Sequence, residues 1–392
     1  MEIRRPAYIL PVLIVSQFAG TSLWFAGNAI MPQIKEQFHL SDTFIGYITI
    51  AVQLGFILGT LLFAVTMLTD RINSSFLFFI CGILGAISNL TAVWFADNTA
   101  LLLTSRLLTG FFLAGIYPVG MKIAADWYAG GLGKALGFLV GALVFGTASS
   151  HLIKGIGAHI NWQTVIIATS AFAAVGGSLV LLFIKNGPYK QKGSRFNMNA
   201  VSKIFADKKL KAAAFGYFGH MWELYTWWAF LPLIFAFYIS KQQADLNASL
   251  FAFIMIAFGG IGCILGGIFS KRFGSKTVAR TALIISGCYC LLSPFLYELS
   301  FPFFILNFII WGITVTADSP QFSTLVAANA NAEYKGTALT LITSIGFAIT
   351  VVSIQLLNFL WNKTGWDHQY VLWVLAPGPI MGVISMGRAK KI

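Results

Sequence analysis

Twelve apolar stretches follow one another along the chain, at about 8–31, 44–68, 76–96, 100–122, 135–153, 162–184, 212–239, 249–270, 279–297, 302–325, 336–360 and 368–387. Each is close to the ~20 residues that an α-helix needs to cross a hydrocarbon core. Gly, Pro, Asn or charged residues separate most of them and the connections are short, so the chain turns back after each crossing. All twelve are expected to be helices, because an unclosed strand leaves backbone groups unpaired in hydrocarbon. The first stretch is too long for a signal-peptide core and has no convincing cleavage site, so it is read as a retained span.

Composition supports the same class. Of the 392 residues 57% are hydrophobic, 15% aromatic and 10% charged, against roughly 25% charged in a soluble domain, which excludes a soluble enzyme. Thirty-eight glycines spread through apolar segments suit helices that pack closely in lipid. Cys81, Cys263, Cys288 and Cys290 lie in apolar runs without zinc-site spacing or the look of a disulfide framework. The net charge of +13 raises nucleic acid as a partner, but the placement of the charges argues for a bilayer and against nucleic acid. With the N-terminus inside, Lys35, Lys154, Lys241 and Lys363 fall outside and Arg106 lies within a span; the remaining 21 of the 26 Lys and Arg residues are cytoplasmic. That asymmetry places both termini in the cytoplasm of a multi-pass protein of the cell inner membrane.

The segment Lys185–Lys211 holds eight basic residues against one acid, Asp207, and is read as a solvated anchor that touches anionic lipid. It divides six spans from six, giving an N-terminal bundle at 1–186, a basic linker at 187–211 and a C-terminal bundle at 212–392. The two halves repeat one another at an offset of 201 to 203 residues. Arg71 coincides with Arg272 in the loops after spans 2 and 8, Gly133-Lys134-Ala135-Leu136 with Gly336-Thr337-Ala338-Leu339, and Pro118 with Pro320.

These residues resemble the major facilitator superfamily of secondary transporters, here of bacterial type, over the whole chain. The superfamily's loop signature, G-x-x-x-D-R-x-G-R-R, keeps Asp70 and Arg71 in the first copy but neither glycine. The second copy keeps Gly267, Arg272, Gly274 and Lys276 but has Lys271 in place of the acid. The R-x-x-x-G motif of span 4 is met by Arg106 and Gly110, whereas the glycine-proline motif of drug-proton antiporters in span 5 is not met. The resemblance implies two pseudo-symmetric six-helix bundles with spans 1, 4, 7 and 10 lining a central cavity. Nitrate porters of the superfamily place an arginine in each half of that cavity; spans 2 and 8 here contain none, which disfavours nitrate.

Polar residues at i, i+4, i+7 and i+11 occupy one face of a helix. Span 1 offers Gln17, Thr21, Trp24 and Asn28, and span 10 offers Asn307, Trp311, Thr314 and Asp318. Span 4 offers Arg106, Gly110, Leu113 and Tyr117, and span 7 offers His220, Glu223 and Trp227. Gln17, Thr21, Trp24, Asn28, Arg106, Tyr117, Trp227, Trp311 and Thr314 are therefore candidate solute contacts. Arg106 has a second reading as a structural or proton-relay arginine. An ionised group in the bilayer core is costly and seldom incidental, and only Arg106, Glu223 and Asp318 lie deep in spans. His220 and Glu223 fall roughly 13 and 18 Å along span 7, near the midplane. Glu223 is the leading proton-coupling candidate, His220 tunes it and Asp318 competes with it. All are expected to face one hydrated vestibule.

Asp70, Arg71, Asp126, Lys271 and Arg272 are candidates for the cytoplasmic latches that the resemblance implies. The resulting expectation is a monomeric secondary transporter without cofactor that moves a small polar or anionic organic solute, coupled to protons. Alternatives are a drug or metabolite exporter and a divalent-metal carrier, for which His220-x-x-Glu223 and Asp318 offer nitrogen and oxygen donors. A receptor or scaffold without transport is the rival of another class. No phosphate-cradling loop ending in Lys-Ser/Thr is present to suggest an ATPase.

Overall fold

A computed structural model describes residues 6–41, 43–128, 132–156, 160–190, 204–243, 246–331, 335–363 and 367–388. Every apolar stretch read from the sequence carries helix. The first is divided into α1 (Ile9–Thr21) and α2 (Ala26–Phe38), followed by α3 (Phe44–Val65) and α4 (Ser74–Leu90). The fourth is divided into α5 (Thr99–Leu113) and α6 (Tyr117–Trp127), and α7 (Leu132–Ile156) and α8 (Trp162–Phe183) follow. Beyond the basic segment come α9 (Lys208–Gln242), α10 (Ala248–Phe273) and α11 (Ser275–Leu296). A third divided span, α12 (Phe301–Ala317) and α13 (Ser319–Asn329), precedes α14 (Lys335–Lys363) and α15 (Pro377–Arg388). No strand occurs among the described residues.

Eleven segments among the described residues are long and apolar enough to cross a membrane, where the sequence reading has twelve. The difference is α9. Its 35 residues exceed the needed length, but Lys208, Lys209, Lys211, His220 and Glu223, with several Tyr and Trp, dilute its apolar character. Helix starts follow from short polar side chains that satisfy otherwise orphaned N–H groups. Asn73 accepts from Ser75 and Phe76, Asn98 from Leu101, Asp207 from Lys209 and Leu210, and Asn247 from Leu250. Large apolar side chains such as Leu54, Leu58, Ile268, Leu291, Phe295 and Phe303 are exposed, while polar ones such as Gln53, Asn89 and Thr226 are buried. That inversion is the arrangement a lipid solvent requires.

Two of the helix breaks have a common cause. Pro118 lies in the first turn of α6 and Pro320 in the first turn of α13. Proline lacks the N–H that a continuing helix needs and is suited to a first turn, so each divides its span at the equivalent place. The repeat also governs packing. The α-carbon of Gly110 in α5 lies against the carbonyl of Val52 in α3, and that of Gly312 in α12 against the carbonyl of Met255 in α10. The glycines are 202 positions apart and their partners 203. A β-carbon at Gly110 would fall inside van der Waals distance of the Val52 oxygen. Gly110→Val should therefore force α3 and α5 apart at a cost of roughly 1–3 kcal/mol and lower the melting temperature in detergent. Gly137, where an added β-carbon meets nothing, should accept alanine with no such loss.

α3 meets α14 and α7 meets α10, and these are the main contacts between helices before and after the basic segment. Asn358 Nδ2 donates to the Thr43 carbonyl at 2.9 Å and the hydroxyls of Thr60 and Ser344 are 3.3 Å apart. Asn247 Nδ2 donates to the Gly155 carbonyl at 3.1 Å.

Candidate functional site

α9 turns Glu223 toward α11 and α12, whereas its Thr226 meets Ser353 of α14 at 2.6 Å. Glu223 is 1% exposed. Its Oε1 accepts from Trp311 Nε1 at 2.7 Å and from the Cys290 thiol at 3.3 Å, and Oε2 accepts from the Ser286 hydroxyl at 2.9 Å. All three donors are uncharged, and no cation pairs with Glu223 among the described residues. One turn earlier, His220 Nδ1 lies 2.8 Å from Oδ1 of Asp318, close enough for an ion pair but outside hydrogen-bond alignment. His220 Nε2 lies 2.8 Å from the Ser319 hydroxyl. Asp318 occupies the break between α12 and α13 that Pro320 imposes.

Arg106 stands apart from both acids. From α5 it reaches the break between α1 and α2, where Nη2 donates to the carbonyls of Leu23 at 2.8 Å and Trp24 at 3.0 Å. Nη1 donates to Asn89 Oδ1. Asn89 Nδ2 in turn donates to the Ile166 carbonyl and lies within bonding distance of the Thr169 and Ser170 hydroxyls. These bonds satisfy carbonyls freed by the interruption of the helix, which carries no proline there. The expectation that Arg106, Glu223 and Asp318 share one hydrated vestibule is thus corrected. Each is enclosed with its own partners, because uncompensated polar atoms at that depth are costly.

The face between the two sets of helices is aromatic. Trp24 lies 4.9 Å from Phe56, 5.6 Å from Tyr225 and 5.6 Å from Phe347, measured between ring centres. Phe25 lies 6.4 Å from His151, 6.5 Å from Tyr225 and 6.2 Å from Trp228. Tyr117, half-buried, opens α6 beside the break that Pro118 imposes. Among the other candidates, Trp227 packs on Trp311 at 5.5 Å and faces α12. Thr314 bonds the Ile310 carbonyl of its own helix, and Asn28 donates to Thr49 at 2.7 Å. Thr21 bonds the Gln17 carbonyl, and the buried Gln17 amide has no partner. Arg71, Lys271 and Arg272 are exposed and Asp126 is buried at the end of α6. The Asp70 side chain and linker residues 191–203 lie outside the described residues.

Sequence reasoning passed over Gln53, Asn89, His151, Ser286 and Cys290. All five belong to spans that the resemblance does not count as lining, and His151 also falls near the end of its span. Of the residues named for the divalent-metal alternative, His220 and Asp318 meet at 2.8 Å, and no three His, Cys, Asp or Glu side chains come together among the described residues.

The sequence profile of the Major Facilitator Superfamily matches residues 13–354. The chain belongs to that superfamily. Solved structures of its fold superpose over nearly the full length. A point mutant of the nucleoside transporter NupG gives a TM-score of 0.71 at 13% identity, covering 98% of this chain and 100% of that one. The human organic anion transporter MFSD10 (TETRAN) gives 0.72 at 14%, covering 97% and 100%. In sequence, the uncharacterized MFS-type transporter YceJ of Bacillus subtilis (strain 168) is 23% identical over 347 residues, which is 87% of this chain and 86% of that protein. The probable galactarate/D-glucarate transporter GudP of Escherichia coli (strain K12) is 30% identical over 115 residues, 28% of this chain and 25% of its own length. The chain is accordingly a multi-pass membrane protein and a secondary transporter of the Major Facilitator Superfamily.

Proposed function

We propose that this transporter couples a proton to the passage of a small polar or anionic organic solute, with Glu223 as the exchanging group. Two six-helix bundles, 1–186 and 212–392, rock about the aromatic face between them, with both termini in the cytoplasm and the chain acting as a monomer in the cell inner membrane. The observation that carries this reading is the Glu223 carboxyl group, buried at the junction of α9, α11 and α12 with three uncharged donors and no cation. A carboxylate so placed has its charge met by a proton, and rearrangement of α9 against α11 and α12 would expose it to water. His220 and Asp318, one turn away, form the second group able to hold a proton.

One relative, matched over 28% of this chain, is a probable galactarate/D-glucarate transporter, and that name supports a small polar organic solute. Arg106, with both Nη atoms engaged, acts in this reading as the structural arginine. The exposed Arg71, Lys271 and Arg272 and the buried Asp126 are proposed to form the cytoplasmic closure. Purified protein in liposomes with an acidic exterior should accumulate such a solute and lose the accumulation when a protonophore is added. Passage unaffected by the protonophore refutes the coupling, and absence of any passage refutes the transport of this solute class.

A further inference from the structure

Five buried side chains on the segments that carry the aromatic face, namely α3, α7, α9 and the α1–α2 break, have polar atoms without partners. Both ring nitrogens of His151, the hydroxyl of Thr147, both amide atoms of Gln53 and the indole N–H groups of Trp24 and Trp228 are unpaired. Each of these residues is at most 1% exposed. Thr147 and His151 are four residues apart and so share one face of α7. That face meets the α1–α2 break, since the His151 ring lies 6.4 Å from Phe25. Trp228 of α9 lies 6.2 Å from Phe25, and Trp24 joins the same group through Tyr225. Gln53 lies seven residues from both Gly46 and Thr60, the positions at which α3 meets Asn358 and Ser344 of α14. It therefore faces α14 one turn from Phe56, whose ring lies 4.9 Å from Trp24.

We infer that these residues bind an uncharged, ring-shaped solute bearing several hydroxyl groups, a class that includes sugars and nucleosides. This rests on the transport reading and narrows its substrate. Unpaired buried polar atoms are costly, so a site that leaves them open in the protein gains free energy from a ligand that pairs them. The set is mixed. The Trp24 and Trp228 N–H groups only donate, whereas Gln53, neutral His151 and Thr147 both donate and accept. A hydroxyl also does both. A carboxylate only accepts and would leave the Gln53 oxygen and a His151 nitrogen unmatched, and an ammonium, quaternary or not, accepts nothing and would leave the indoles unmatched. No charged side chain takes part, and the nearby Arg106 has its Nη atoms committed to backbone and Asn89. The flat faces of Trp24, Phe25, Tyr225 and Trp228 suit the apolar faces of a ring.

The test uses the full chain purified in detergent. Thermal melting is measured with a hexose, a ribonucleoside, D-glucarate and a quaternary ammonium, followed by exchange of the best ligand in liposomes. An uncharged ring should raise the melting temperature in proportion to the logarithm of its concentration. Gln53→Leu and His151→Gln should each weaken half-saturation of exchange ~10-fold, the equivalent of about one hydrogen bond, with the maximal rate preserved. Stabilisation by D-glucarate or the ammonium alone, by none of the four, or an affinity unchanged in both variants overturns the inference. Exchange that survives with unchanged affinity leaves transport standing, whereas binding without any exchange in the wild type overturns the transport reading instead. Trp228→Phe, which keeps an aromatic face of smaller area and loses the indole N–H, should likewise weaken half-saturation and serves if either polar variant does not fold.

Discussion

Glu223→Gln is expected to abolish solute accumulation driven by a pH gradient while leaving solute exchange at equal pH intact. A pH difference of one unit is worth about 1.4 kcal/mol per proton, or a tenfold solute gradient for one-to-one coupling. The variant should show a ratio near one at any gradient. Glutamine copies the shape and neutrality of the protonated acid. Its Oε1 accepts from Trp311 and Cys290 as Glu223 does, and its Nε2 donates toward the Ser286 hydroxyl. Ser286 also has the Leu283 carbonyl at 3.3 Å as an outlet for its own proton. The site is therefore filled without an unpaired donor, and melting should change little. Accumulation that persists at the wild-type ratio would refute the assignment. If it disappears instead in Asp318→Asn, with Glu223→Gln unaffected, the proton resides on the His220–Asp318 pair.

The difference between what was legible in the sequence and what was not follows from the kind of information each feature needs. Helix positions are local: apolar length determines them with no knowledge of neighbours, whereas Pro118 and Pro320, which the sequence reading uses only as markers of the repeat, divide spans it treats as single helices. The repeat was legible for the same reason, and the Gly110–Val52 and Gly312–Met255 contacts show it carried into packing. The orientation of the polar faces was not. Spacing places His220, Glu223 and Trp227 on one side of α9, but a helix has neighbours all around. The donors that draw Glu223 inward are Ser286 and Cys290 on α11, more than sixty residues away. Tyr225 and Trp228, which do face the first half, lie off the polar stripe that singles out Trp227 in the sequence. The break after Thr21 was hidden as well, because its stabiliser is the side chain of Arg106 rather than a local residue.

Removing that stabiliser carries the second large effect. Arg106→Ala is expected to lower stability by about 3–5 kcal/mol, from about 1–2 kcal/mol for each of the three buried acceptors left unpaired, and to abolish exchange in the protein that remains folded. The loss is not of a charge pair, since no carboxylate meets Arg106 among the described residues. It is the exposure of three acceptors, the carbonyls of Leu23 and Trp24 and the Asn89 side-chain oxygen, to a dry interior. Arg106→Lys separates shape from charge. Lysine keeps the charge but offers a single ammonium where the planar guanidinium spans two separate targets, so it should recover only part of the melting temperature. Trp24 and Phe25 stand directly in the segment that Arg106 secures, and their rings contact Tyr225, Trp228 and Phe347 of the second half. Loosening the break should therefore raise half-saturation in Arg106→Lys as well as lower its stability. Melting and exchange both equal to wild type in Arg106→Ala would show that the α1–α2 break holds itself, and that the arginine serves another end.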